Sequence, residues 1–327
     1  MQTTVKLPEN IKPHLDNIHK NILQSIPDDF PVSLSEPIRY FLQMPGKMIR
    51  PLLTLFSSKA VGGNMEDALP AAIAVELFHD FTLIHDDIMD QDELRRGLKT
   101  LHVKYGDSTA ILSGDALIGL AYSQLMRVPD RSLNAVTKIF TEALVKVCEG
   151  QALDKEFEAR DDIQLEEYLD MIAKKTAWLI KTACALGAHC GNGTPGQVDL
   201  LTSFGYNLGM GFQIQDDLLD FVADESKLGK KVGSDFRMRK TTYVTLKYRQ
   251  ILQNSAEYRS NYPADISKYS SFAEFQGALD ELSVIPAGQQ EVDHYIQLAI
   301  GDLGQVIPPE SGNPLYEITH FLQRRQY

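Results

Sequence analysis

Cysteine is scarce in this chain of 327 residues: Cys148, Cys184 and Cys190, with no Cys-x-x-Cys pair. An odd count without paired spacing argues against a disulfide framework and for a reducing, cytoplasmic setting. Basic charge is also short. Lys and Arg total 32 against 44 Asp and Glu, a net charge of −12. A duplex-binding protein needs a basic face, so nucleic acid is not expected as a partner. Any polyanionic ligand must then be held by local basic clusters or bridging cations. The opening stretch, MQTTVKLPENIKPHLDN, lacks the apolar core of a secretory signal. No apolar run approaches the roughly 18 residues needed to span a bilayer, so stable membrane insertion is not expected. Strand-like alternation does not recur, and no Ser/Gly linker separates two halves.

What is present is helical periodicity. With 43% hydrophobic and 23% charged residues, the chain has enough apolar content for a sizeable core. In 65–88, Leu69, Ile73, Leu77 and Ile84 fall near one side of a helix. Similar spacing covers about 107–128, 131–158, 163–187, 198–222 and 237–253. Short breaks fall at 46–51, 61–64 and 191–196, and longer irregular tracts at about 258–270 and 305–315. The expected fold is all-α: one domain, 1–327, of ten or more helices.

One motif recurs. LIHDDIMD at 83–90 and QIQDDLLD at 213–220 each end a long apolar helix. Residues four apart on a helix lie about 40° apart around its axis. Asp86 and Asp90 therefore share a face, as do Asp216 and Asp220, with Asp87 and Asp217 flanking them. Like charges at this spacing destabilise a helix, and a helix C-terminus is the wrong end for them. Two solvated helix ends would be the bland explanation, but the flanks are strongly apolar. A hard-cation site explains them better, because oxygen ligands select Mg²⁺ or Ca²⁺. Mg²⁺ in particular takes one or two carboxylates plus substrate phosphates. Two facing triads could clamp one phosphorylated ligand through several Mg²⁺ ions.

Cations lie where a diphosphate would need them. Gly46-Lys47 and Arg50-Pro51 precede a helix, Arg95-Arg96-Gly97 follow the first triad, and Lys230, Lys231 and Lys240 follow the second. Arg holds phosphate oxygens bidentately and Lys acts as a point charge. Gly46 would let the backbone come close to a phosphate.

On these residues the chain resembles the trans-isoprenyl diphosphate synthases of the polyprenyl synthetase family. ELFHDFTLIHDDIMDQDELRRG (76–97) resembles the first aspartate-rich region, GFQIQDDLLDF (211–221) the second, and PGKMIRP (45–51) a GGKRxRP motif. AILSGDAL (110–117), EGQALD (149–154), KKT (174–176) and KKVGSDFRMRKTT (230–242) match weaker blocks in the same order. The resemblance implies a helical bundle of the isoprenoid synthase type with a central cavity. It also implies head-to-tail condensation of isopentenyl diphosphate with dimethylallyl, geranyl or farnesyl diphosphate.

Carried over by position, isopentenyl diphosphate would be held by Gly46, Lys47, Arg50, His79 and Arg96. Three Mg²⁺ would be bound directly by Asp86, Asp90 and Asp216, with Asp87, Asp217 and Asp220 in support. Arg95, Lys175, Lys230 and Lys240 would contact the allylic diphosphate, and Thr176 and Gln213 would face the allylic cation. Phe81, with Phe78 a turn below, would floor the cavity and favour a C20 product, geranylgeranyl diphosphate, with C15 farnesyl diphosphate as the alternative. A homodimer is implied, with 131–158 as part of its interface.

Pro45 and Met48 depart from the first motif, and Tyr243 stands where the family has a proline; neither change removes a required ligand type. A class I terpene cyclase would not need a second triad or the GKMIRP cluster, and a regulatory subunit would be expected to lose a triad. Glu76-x-x-His79 and Glu291-x-x-His294 have the spacing of a di-iron bundle, a short pattern that arises easily by chance.

Overall fold

The computed structural model describes residues 11–43, 46–222, 233–309 and 312–323. In chain order its helices are α1 (Lys12–Gln24), α2 (Val32–Leu42), α3 (Ile49–Ala60), α4 (Met65–Met89), α5 (Leu101–Tyr105), α6 (Asp107–Leu125), α7 (Asp130–Phe157), α8 (Leu165–Ile172), α9 (Trp178–Cys190) and α10 (Pro195–Val222). After them come α11 (Ser234–Arg237), α12 (Tyr243–Asn254), α13 (Ala256–Asn261), α14 (Phe272–Glu281), α15 (Val284–Val306) and α16 (Pro314–Gln323). Among the described residues the fold is all-α apart from one antiparallel pair, β1 (Leu94–Arg95) with β2 (Leu98–Lys99). Its two-residue turn has Arg96 at φ 52° and Gly97 at φ 81°, the left-handed pair that a tight hairpin requires.

Two long helices form the centre. α4 starts at Asn64, whose side chain accepts the Glu66 N–H at 3.1 Å, and Glu66 and Asp67 suit the positive end of the helix. Ala68, Ala71, Ala72, Ala74, Val75, Leu77 and Phe78 are all buried, so α4 is apolar around most of its circumference. Small residues let α3, α6 and α9 pack close around it. α10 begins with a proline at its first position and packs against α9 and α15. Buried apolar residues from Ile11 to Leu322 belong to one core cluster. Both central helices carry an aspartate triad at their C-terminal end.

Three features differ from the sequence reading. α4 is long and apolar enough to cross a membrane, because isolated charges break its apolar runs without making it polar; 61% of its most apolar window is buried inside the bundle. The helix expected from 237 starts at Tyr243: Arg239, at φ 54°, ends α11, and the Thr242 hydroxyl caps a new helix by accepting the Thr245 N–H. Between α8 and α9 the chain forms a π-helical turn, Ala173–Ala177. Such a turn carries one extra residue and is common at functional sites. α7 backs directly on it, since a Cβ on Gly150 would lie 2.3 Å from the Lys175 nitrogen.

α3 and α9 approach as closely. A Cβ on Gly187 would lie 2.0 Å from the Thr54 carbonyl oxygen. Gly187→Ala must separate the two backbones, with an expected loss of ~1–3 kcal/mol in urea denaturation. An unchanged midpoint would show that the helices part freely.

Candidate active site

The aspartates of each triad divide by direction. On α4, Asp87 is 1% exposed and turns inward, where Arg95 donates to its Oδ1 from Nε at 2.7 Å and Nη2 at 2.6 Å. On α10, Asp217 is buried and accepts from the Tyr168 hydroxyl at 2.6 Å, the Tyr243 N–H at 2.9 Å and Gln213 Nε2 at 3.0 Å. Burial still raises its carboxyl to about 7. Asp220 caps α11, accepting the Ser234 hydroxyl and the Asp235 N–H, both at 2.9 Å. Asp217 and Asp220 thus spend both carboxylate oxygens on protein donors, and Asp87 spends Oδ1 on Arg95 while its Oδ2 is buried without a hydrogen-bond partner. This is the supporting position that the resemblance implied for them, with protein groups as their partners.

Asp86, Asp90 and Asp216 keep the other direction. Asp216 is exposed at the end of α10. Burial raises the Asp86 carboxyl to about 6, against the pull of Lys175 and with Asp90 adding to the rise. Asp90 lines an open cleft of about 1030 Å³ together with Asp154, Lys155 and Lys240.

The π turn joins the two helix ends. Lys175 donates to Asp154 Oδ2 on α7 at 2.5 Å. Burial works against its charge, but Asp154 and Asp86 more than offset this and its pKa is raised. Its neighbour Thr176 donates to Gln213 Oε1 on α10 at 2.9 Å. With Gln213 Nε2 committed to Asp217, the amide is held at both ends.

A second cationic cluster lies up α4. Arg50 Nη1 is 3.1 Å from His79 Nε2. A guanidinium can only donate, so His79 accepts on Nε2 as a neutral imidazole. Burial first, then Arg50, Arg96 and Arg95, hold its pKa well below the ordinary value. Gly46 lets the Arg96 guanidinium lie against the backbone, since a Cβ there would lie 2.5 Å from Arg96 Nη2 and would push that side chain aside. Lys47 Nζ stands 5.4 Å over the Phe321 ring. Arg50 Nε and Glu76 Oε2 are buried without hydrogen-bond partners, an arrangement that suits an incoming polar ligand or water.

Sequence reasoning placed Arg95 on a diphosphate, whereas two of its nitrogens are engaged with Asp87. Lys240 is exposed on the cleft, and Lys230 and Lys231 lie outside the described residues. Phe81 is half-buried, with ring centroids 6.2 Å from Phe78 and 4.7 Å from His85, and Phe78 is core against Phe140 at 5.2 Å. Tyr168 and Lys155 were missed, and the buried acids Glu76 and Asp80 were given no part in the anion centres. Only the helical spacing of Glu76 and Asp80 beside His79 could have flagged any of them. The di-iron pattern fails, because His294 is exposed and His79 Nε2 is taken by Arg50. Carboxylates from the ends of two helices, Asp86 and Asp90 on α4 and Asp216 on α10, fit Mg²⁺, which completes its shell with waters and phosphate oxygens.

The family model for polyprenyl synthetase matches residues 31–276. The chain belongs to the polyprenyl synthetase family. Among the relatives it is similar to is a short chain isoprenyl diphosphate synthase of Methanothermobacter thermautotrophicus, 46% identical over 70% of each chain. Another is a geranylgeranyl diphosphate synthase of Sulfolobus acidocaldarius, 37% identical over 96% of this chain and 99% of the other. The crystal structure of geranylgeranyl pyrophosphate synthetase from Pyrococcus horikoshii superposes with a TM-score of 0.87 at 35% identity, over 97% of this chain and 98% of that one. The fold is therefore that of the polyprenyl synthetases.

Burial raises Glu76 to about 7, against the opposing pull of Arg50 and Arg96. The unfolded chain releases this proton near 4.5 and the folded chain only near 7. Stability from this group is complete below 4.5 and declines as pH rises to 7, by about 2–3 kcal/mol. Glu76→Gln should flatten urea-denaturation midpoints over that window; an unaltered slope would rule Glu76 out as the source.

Proposed function

We propose that the protein is a Mg²⁺-dependent trans-prenyltransferase joining isopentenyl diphosphate head-to-tail to allylic diphosphates, with geranylgeranyl diphosphate as its main product. The observation that carries this reading is the pair of anion-binding centres on one helix. The outward carboxylates and Lys175 lie at the end of α4, and Gly46, Arg50, His79 and Arg96 lie up its length. A cyclase would need one such centre; a two-substrate condensation needs both. The family and the named relatives support the same reaction class.

Asp86, Asp90 and Asp216 would hold the Mg²⁺ ions, three per site in this reading. Bound there, they would supply positive charge to the leaving diphosphate. The chain's own groups do the rest. Lys175, with Lys240 at the mouth, meets charge developing on the allylic diphosphate as its carbon–oxygen bond breaks and the electron pair departs with oxygen. Gln213 presents a fixed amide dipole, and Thr176 a fixed hydroxyl, to the allylic cation. The Arg50–Arg96 centre anchors isopentenyl diphosphate so that its alkene reaches the cationic carbon. The proton then lost passes to the departed diphosphate, and no protein base is required. Phe81, with Phe78 behind it, floors the cavity in this proposal. The working unit is a homodimer.

Two measurements test this. Purified protein with Mg²⁺ and labelled isopentenyl diphosphate should extend dimethylallyl, geranyl and farnesyl diphosphate to a C20 end point. Asp86→Asn should lower turnover by about 100-fold or more with its fold intact. Failure to extend any starter would sink the proposal, whereas a C15 end point would move the floor. Phe81→Ala should lengthen the product by at least one isoprene unit, and an unchanged chromatogram would remove Phe81 from the floor.

A further inference from the structure

Lys155 closes the last turn of α7, and its ammonium is fully committed. It donates to Asp90 Oδ1 at 3.2 Å, to the Met89 carbonyl oxygen at 3.2 Å and to Glu158 Oε1 at 2.7 Å. Those three acceptors match the three protons an ammonium carries. Asp90 is the C-cap of α4, with its N–H bonded to the Asp86 carbonyl at 2.8 Å. It therefore stands at the negative end of the helix, where a cation is most favoured. The side chains of Lys155 and Asp90 are 31% and 29% exposed, and both line the 1030 Å³ cleft. A monovalent cation thus occupies an oxygen that the proposed reaction needs for Mg²⁺.

We infer that Lys155 is a displaceable counter-ion of Asp90: an incoming divalent cation must turn it out, and Glu158 receives it. The inference rests on the reading that Asp86 and Asp90 hold the metal. The geometry supplies the acceptor that would keep the displaced lysine. Glu158 lies one helical turn further along α7, its oxygen is already the nearest of the three acceptors, and it is 61% exposed. A flexible lysine stem can give up Asp90 and the Met89 carbonyl while keeping that bond. Because the pair is partly exposed, the competition is mild and graded. Lys155 acts through Asp90 and is a positioning residue that sets the metal concentration at which the site fills.

The test uses the full chain and Mn²⁺ alone, with free Mn²⁺ followed by electron paramagnetic resonance and no substrate present. Lys155→Met should lower the binding midpoint about two- to fivefold, and Lys155→Arg should restore the original value. Glu158→Gln should shift the midpoint upward, because the lysine then rests on Asp90 undivided. In the double variant Lys155→Met/Glu158→Gln the Glu158 effect should vanish, since it acts through the lysine. An unchanged or raised midpoint in Lys155→Met overturns the inference. A Glu158 effect that persists at full size in the double variant overturns it too, by reducing Glu158 to a plain nearby charge. Asp86→Asn separates the two levels. If Mn²⁺ binding ignores that change, the metal-site reading fails and the inference with it. If binding depends on Asp86 while Lys155→Met has no effect, the site reading stands and only the counter-ion role is lost.

Discussion

Negative charge placed at the negative ends of two buried helices is the constraint on which the rest of the structure depends. α4 and α10 are the apolar centre of the bundle, and each finishes in three aspartates within five residues. Carboxylates there meet an unfavourable helix dipole and lose water. The surrounding elements supply compensation residue by residue. Arg95 comes from the β-hairpin for Asp87 and Lys155 from α7 for Asp90. Tyr168 and the Tyr243 N–H serve Asp217, and the start of α11 serves Asp220. The tight hairpin and the helix start at Tyr243 make sense as donors to these groups.

The division of labour within each triad follows. The middle aspartate points into the protein and fixes the end of its helix, leaving Asp86, Asp90 and Asp216 for the proposed metal. The inward group also orients machinery beyond itself, since Asp217 holds the Gln213 amide that in turn receives Thr176. Replacing an inward aspartate would therefore disturb the site without removing a ligand from it.

Much of this was legible in the sequence. Period-3.6 patterning marked the long helices, and the DDxxD repeat with the GKMIRP and RRG clusters marked the residues from which both proposed anion centres are built. The direction of Asp87 and Asp217 was not legible, because five adjacent helix positions sample every azimuth and only packing decides which face is inside. Lys155 and Tyr168 were hidden because they lie 65 and 49 residues from the aspartates they serve. Glu76 and Asp80 stand on a helix apolar enough to cross a membrane, and nothing local announces that they are buried beside arginines.

The π turn at Ala173–Ala177 has a consequence for how this backbone tolerates change in length. Its additional residue lets two sequence neighbours face different partners, Lys175 toward α7 and Thr176 toward α10. Deleting one residue of the turn would restore an unbroken α-helical ladder from α8 into α9, a gain in backbone regularity. It would also remove the widened turn from which Lys175 and Thr176 reach their two partners. α7 and α10 would lose the side-chain link that the turn makes between them while the bundle kept its core. At this point in the chain, the more regular helix would be the less capable catalyst.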